Sequence, residues 1–439
     1  MTSFLLMVVL ASALTLHSIV RMLHSRFIKP VDLAVLAVFY YTVPLAVAGY
    51  FIYNPRNLIF LHSQAGDPAI AIQSMRYALM AILALYGGHW GASQLGAPRL
   101  GTYFKLEQGG ITRAWLAIGA MVGIIWLGVI QFGLSEFMQG YLRESDLEGG
   151  TLGTALVYFG VGSLGLVTVY AILLNKFLSR RDLWLIVAVT FIVCLVVLLI
   201  RSKRLEIVTT FLPVAIVLLA SRSTMKAVSW RLFLGISLLV LLVLVALIRV
   251  NDQLELFTIN FYFLSEGLYA GHAMPGIIHR LESGMLGYEN GMRFVTAILA
   301  FLPRFIWEGK DEVVYAGNLA LEGVAPLGAT TFLAETVLQG GLVAVVLVHL
   351  ILGFVFERVS RFEAVWDAAI ASGRIPGRFI LYLAFTAILI PHFRDGIIPA
   401  VKLTLQACVF LVILTGLHWT PAYLLQRRSP AEEQVAAPR

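Results

Sequence analysis

Apolar and polar positions in this chain do not alternate at short period. They gather into long apolar runs separated by brief polar links, near 3–20, 31–53, 71–91, 114–135, 153–175, 183–200, 203–220, 232–250, 329–354, 378–393 and 400–418. A run of roughly 20 apolar residues is what an α-helix needs to cross about 30 Å of hydrocarbon. The pattern therefore predicts an all-α polytopic membrane bundle of about eleven transmembrane helices. One domain covers 1–426, and the Pro-, Ala- and Glu-rich tail at 427–439 is expected to be disordered and cytoplasmic.

The one long link is 251–328, which is expected to carry short helices. Its stretch 294–302 (FVTAILAFL) is apolar but too short to span, and Pro303-Arg304 stops it. It reads as an interfacial or re-entrant helix.

Composition sharpens this picture. Hydrophobic residues make up 59% of the chain, charged residues 13%, and the mean hydropathy is +0.86, so the apolar surface cannot be hidden in a water-soluble core. The net charge of +7 reflects cytoplasmic Lys and Arg rather than nucleic-acid binding. Cys194 and Cys408 each lie inside an apolar run and read as packing residues. The chain carries no CxxC, HExxH or Walker-type loop, so no metal and no cofactor is expected.

Charge also orients the chain. The first run has no basic segment before it, while Arg21, Arg26 and Lys29 follow it, which favours an N-terminus facing out over a cleaved signal peptide. Alternation from that start places 19 Lys and Arg on inside segments and 11 on outside ones, consistent with N-out, C-in. The exceptions lie in very short outside loops: Arg201, Lys203 and Arg204 in one, Arg394 in another.

Those exceptions suggest chemistry. Arg201 and Arg204, three apart, are expected on one helix face at the outer end of the seventh span. With Lys203 they fit a phosphate or pyrophosphate clamp, because the planar guanidinium fork bonds phosphate oxygens in pairs; snorkelling to lipid phosphates is the plainer reading. The long loop offers His279-Arg280, Glu282, Glu289 and Arg293, then Phe301-Leu302-Pro303-Arg304 and Trp307 up to Lys310. Aromatics beside cations suit a sugar phosphate, although Trp307 and its flanking charges also fit an interface anchor. Near the start of the ninth span stand Glu335, Gln339, Gly340 and Gly341. A carboxylate just inside an apolar run marks Glu335 as a candidate base or as the partner of an outer arginine. The link between the last two spans, Pro391-His392-Phe393-Arg394-Asp395-Gly396, brings a possible proton carrier, His392, beside Arg394 and Asp395. Asp395 there reads first as a neutraliser of Arg394. Arg76 and Arg249 are weaker candidates.

Taken in order, these parts resemble the Wzy-type oligosaccharide repeat-unit polymerases of bacterial O-antigen and exopolysaccharide pathways. The resemblance is architectural along nearly the whole chain and local at 301–310, 333–341 and 392–396. It implies an inner-membrane glycosyltransferase that is metal-independent and has its active site facing the periplasm. The growing glycan on undecaprenyl pyrophosphate would be the donor, the incoming lipid-linked repeat unit the acceptor, and a chain-length regulator protein a partner. On that reading Glu335, His392 and Arg304 are catalytic. Arg201, Lys203, Arg204, Arg280, Arg293 and Arg394 bind pyrophosphate, and Trp307, Glu282 and Glu289 bind sugar. Many relatives have Arg-Gly where this chain has Arg394-Asp395-Gly396, which leaves a direct role for Asp395 open. An O-antigen-ligase-like transferase and a transporter or flippase of lipid-linked glycan are the alternatives.

Overall fold

The described apolar runs fold as helices because a segment in hydrocarbon must satisfy every backbone N–H and C=O within itself. The computed structural model describes residues 2–51, 67–96, 103–106, 109–132, 150–174, 179–201, 204–220, 229, 270–300, 330–415 and 419–420. In order these form α1 (Thr2–His24), α2 (Pro30–Phe51), α3 (Pro68–Gln94), β1 (Tyr103–Lys105), α4 (Gly109–Phe132), α5 (Gly150–Leu173), α6 (Arg180–Arg201) and α7 (Arg204–Ala220). The short helices α8 (Ala273–Glu282) and α9 (Met292–Leu299) precede the long α10 (Phe332–Ser360). After it come the short α11 (Trp366–Ala371), β2 (Arg374–Pro376), α12 (Gly377–Ala384), α13 (Ile397–Leu414) and β3 (Trp419–Thr420).

Among the described residues six helices are long and apolar enough to cross a membrane: α1, α2, α3, α4, α10 and α13. Their surfaces agree with that role. On α10, Val343, Leu347, Leu350 and Ile351 are exposed on one face, as are Trp126, Leu127 and Ile130 on α4. Such apolar faces are stable only against hydrocarbon or another apolar surface.

Two helices far apart in sequence form the spine. α3 and α10 run parallel, with Leu85 against Gly353 and the carbonyl of Ala92 accepting from Arg361 at 2.6 Å. Glycine makes the contact possible: a Cβ at Gly88 would lie 2.8 Å from the backbone nitrogen of Phe354, and one at Gly353 would lie 2.8 Å from the carbonyl carbon of Leu85. Small residues that let backbones meet are how helices associate in lipid. Gly88→Ala and Gly353→Ala are each expected to cost about 1–3 kcal/mol by overpacking, read as a lowered melting temperature in detergent. Gly87→Ala and Gly91→Ala, where a Cβ meets nothing within 4 Å, are the controls and should leave it unchanged.

The parallel pair defines two ends. At the end where α3 and α10 finish, Glu357 meets Lys29 at 3.6 Å, His89 at 3.1 Å and Arg361 at 3.4 Å, and Arg21 grips the buried Asp32 through two nitrogens. Phe27, Phe362, Trp366, Phe379 and Tyr382 pack ring against ring beside this network and tie the α1–α2 link to the end of α10.

The structure departs from the sequence reading in four places. Arg201 is the last residue of α6 and Arg204 the first of α7, so they do not share a face of one helix; the apolar run beyond Arg204 suffices for its own helix without reaching back. The ninth run continues to Ser360 but breaks at Gly340–Gly341, where Gly341 adopts φ 59°. The tenth run is not one regular helix: α12 passes into a π-helical turn, Phe385–Leu389, and a 3-10 turn, Pro391–Arg394, because Pro391 supplies no N–H to continue the ladder. A small antiparallel sheet of order β2-β1-β3 was not anticipated; its strands are two or three residues long, too short for a period to register. Lys203, Arg304, Trp307, the eighth run and the 427–439 tail lie outside the described residues.

Candidate functional site

The other end of the bundle gathers three segments far apart in sequence: the turn into α9, the first turns of α10, and the turn into α13. Each has a local reason for its shape. Asn290 and Gly291, at φ 49° and 89°, make the left-handed turn that starts α9, and both residue types tolerate it. Thr331 caps α10 by accepting from the Ala334 N–H at 3.1 Å. Gly396 opens α13 at φ 89°, and a Cβ there would lie 2.6 Å from the Glu335 carboxyl carbon, so both conformation and space call for glycine.

Glu335 is the hub. It is 2% exposed and both its oxygens accept from donors. Its Oε1 accepts from Arg293 Nη1 at 3.0 Å and from the Thr330 hydroxyl; its Oε2 accepts from the Ile397 N–H at 2.6 Å. That N–H is one of the orphan donors at the start of α13, and Glu335 itself lies in the first turn of α10, so two helix N-termini favour its negative charge. Arg293 reaches Glu289 with its other edge, Nε to Oε2 at 2.8 Å and Nη2 to Oε1 at 3.2 Å. Gln339, one turn along α10, donates to Glu289 at 2.8 Å and accepts from the Arg293 N–H at 3.2 Å. Burial works against the Arg293 charge, but the Glu335 and Glu289 carboxylates outweigh it and hold the guanidinium pKa above its ordinary value.

The break in α10 belongs to the same construction. The Glu289 N–H donates to the Leu338 carbonyl at 3.0 Å, and a Cβ at Gly341 would lie 3.0 Å from the Tyr288 hydroxyl. The loop before α9 thus occupies the space that an unbroken helix would deny it. Phe332 stacks on Phe393 at 4.5 Å and meets Phe294 edge-on at 6.3 Å, so rings join the same three segments.

Beside the hub, His392 Nδ1 lies 2.7 Å from Asp395 Oδ2, with His392 8% exposed. A carboxylate so placed fixes the imidazole's orientation and leaves Nε2 as the nitrogen able to exchange a proton. The sequence reading, which set Asp395 beside Arg394 as its neutraliser, did not pair it with His392.

Of the sequence candidates, Glu289, Arg293, Glu335 and the 392–396 turn are brought together. Glu282 and Arg280 stand at the end of α8, and Glu282 accepts from Gln73 of α3. Arg201 and Arg204 sit on the ends of α6 and α7. Thr330 and Gln339 were not singled out for a role. Gln339 could have been, since its i, i+4 spacing from Glu335 puts both on one helix face. Among the described residues no group of three or more His, Cys, Asp or Glu could hold a metal ion. Comparisons with family models, with curated proteins and with solved structures found no match to this chain.

Proposed function

We propose that this chain is an inner-membrane glycosyltransferase that polymerises undecaprenyl-pyrophosphate-linked oligosaccharide repeat units at the periplasmic face. The observation that carries this reading is the meeting of a buried Arg–Glu hub and a His–Asp pair at one end of an apolar helix bundle, with Arg394 in the same turn as the pair. About eleven spans, N-out and C-in, complete the proposed topology, and a chain-length regulator is the proposed protein partner.

His392, oriented by Asp395, takes the proton of the acceptor hydroxyl as it attacks the anomeric carbon of the donor. Undecaprenyl pyrophosphate leaves, and positioned cations stabilise the charge that develops on it. Arg280, Arg304 and Arg394, with Arg201, Lys203 and Arg204, are the proposed cations, and Trp307 with Glu282 addresses the sugar. Arg293 and Glu335 are assigned a positioning role instead, because both edges of the guanidinium fork meet carboxylates and both carboxylate oxygens meet donors. Apolar grooves between spans would hold the prenyl chains.

Deleting the gene and profiling lipid-linked and surface glycan by gel and mass tests the reading. Single repeat units accumulating on the carrier or on lipid A core, with long chains gone, is the expected result. Long chains still built on undecaprenyl pyrophosphate but not transferred would mean a ligase. Repeat units trapped on the cytoplasmic side would mean a transporter. Within the same assay Arg204→Ala and Arg304→Ala are expected to abolish polymer at normal protein level, with Arg→Lys restoring it only in part because the bidentate fork is lost. Normal polymer in both alanine variants would remove the cation clamp.

A further inference from the structure

The end of the bundle away from the candidate site carries a second cationic surface. In the small sheet, Phe104 and Ile375 are buried, so their neighbours Tyr103, Lys105 and Arg374 lie on the opposite, outer face. Lys105 is paired directly with Arg374 across the strands, an arrangement of like charges that destabilises a sheet unless an anion lies over it. Arg378, in the first turn of α12, lies close enough to Arg358 and Arg361 for their charges to repel its own. Arg358 and Arg361 both donate to the Gly96 carbonyl at 2.9 Å, which holds two guanidinium groups against one oxygen. The carboxylate that Arg361 meets, Glu357, is shared with Lys29 and His89, so it neutralises little of this surface.

The position of the surface identifies its ligand. Trp90 is 67% exposed on the last turns of α3, where an aromatic side chain marks the headgroup level of a bilayer. Gly96 and the arginines that bind it lie immediately beyond. Apolar helices end here and a cationic sheet begins.

We propose that Lys105, Arg374 and Arg378, with Arg358 beside them, form a binding surface for the phosphate headgroups of anionic phospholipids. Headgroup phosphates relieve the like-charge pairing and tie the sheet, and with it the ends of α3, α10 and α12, to the bilayer surface. This surface is separate from the candidate site and does not depend on the reaction assigned there.

The full-length protein, reconstituted in vesicles of phosphatidylcholine with or without phosphatidylglycerol, provides the test by thermal unfolding and by mass spectrometry of retained lipid. Wild type is expected to unfold at higher temperature, and to retain phosphatidylglycerol selectively, when the anionic lipid is present. The triple variant Lys105→Gln, Arg374→Gln, Arg378→Gln is expected to be at least as stable as wild type in phosphatidylcholine, since the like-charge pair is gone, and to lose that increment. The preference for the anionic lipid should fall about fivefold per cation removed. The triple variant Lys105→Arg, Arg374→Lys, Arg378→Lys should keep it. An undiminished increment in the glutamine variant overturns the proposal. So does an equal stabilisation of wild type by free pyrophosphate in phosphatidylcholine alone, which would make the surface a soluble-anion site. Should the triple variant not fold, Lys105→Gln alone, at an exposed strand position, decides the same question by a fivefold loss or none.

Discussion

Arg293→Ala is expected to destabilise the protein by about 3–5 kcal/mol and to abolish polymer, the cost of leaving buried charge without its partner. Glu335 and Glu289 would then face each other with no cation between them, while the backbone N–H at 293 would still donate to Gln339. Glu335→Ala should cost less, about 2–4 kcal/mol, because Arg293 keeps Glu289, but the Ile397 N–H would lose its buried acceptor. The double variant separates a strut from a reactive centre. Arg293 and Glu335 touch, so their effects should couple by about 1–3 kcal/mol, and the double variant should be less damaged than the sum of the singles. Thermal unfolding in detergent completes the cycle. Additive effects, or single losses below about 0.5 kcal/mol, would mean that the pair does not hold α9, α10 and α13 together.

The second large effect falls on chemistry rather than stability. His392→Ala is expected to reduce polymer formation by about 10²–10⁴-fold, the range for removing a general base, while the protein still inserts and melts near the wild-type temperature. Asp395→Asn should reduce it less, since the imidazole remains but its orienting carboxylate, 2.7 Å away, is gone. A merely structural pair would give a different pattern: melting temperature and activity would fall together. A kcat loss at unchanged melting temperature and KM, in both variants and larger in His392→Ala, is the expected signature. Full activity in His392→Ala would remove it as the base.

How far the sequence could carry this account depends on the range of each interaction. The helices were legible because hydrocarbon imposes a long, strong signal: the first run was placed at 3–20 and α1 covers Thr2–His24, the third at 71–91 and α3 covers Pro68–Gln94. Glu335 stood out because a carboxylate in an apolar run is costly, and partnership with an arginine was one of two readings open for it. Which arginine could not be read, since Arg293 lies 42 residues away on another helix and no local spacing couples them. The Arg201–Arg204 pair misled for the opposite reason: a spacing of three is a face only if one helix contains both residues, and a helix boundary falls between them. The sheet joins 103–105, 374–376 and 419–420, whose pairing is set wholly by the tertiary fold. The parallel contact of α3 and α10 was equally invisible, although Gly88 and Gly353, glycines within otherwise apolar helices, were its trace.

Purified protein in proteoliposomes, given an undecaprenyl-pyrophosphate-linked repeat unit and no divalent metal, decides whether the chain is a polymerase. A ladder of products lengthening by whole repeat units is expected, with undecaprenyl pyrophosphate released in step and the ladder lost in His392→Ala. A folded wild-type protein that leaves the single repeat unit unextended under those conditions would contradict the polymerase reading.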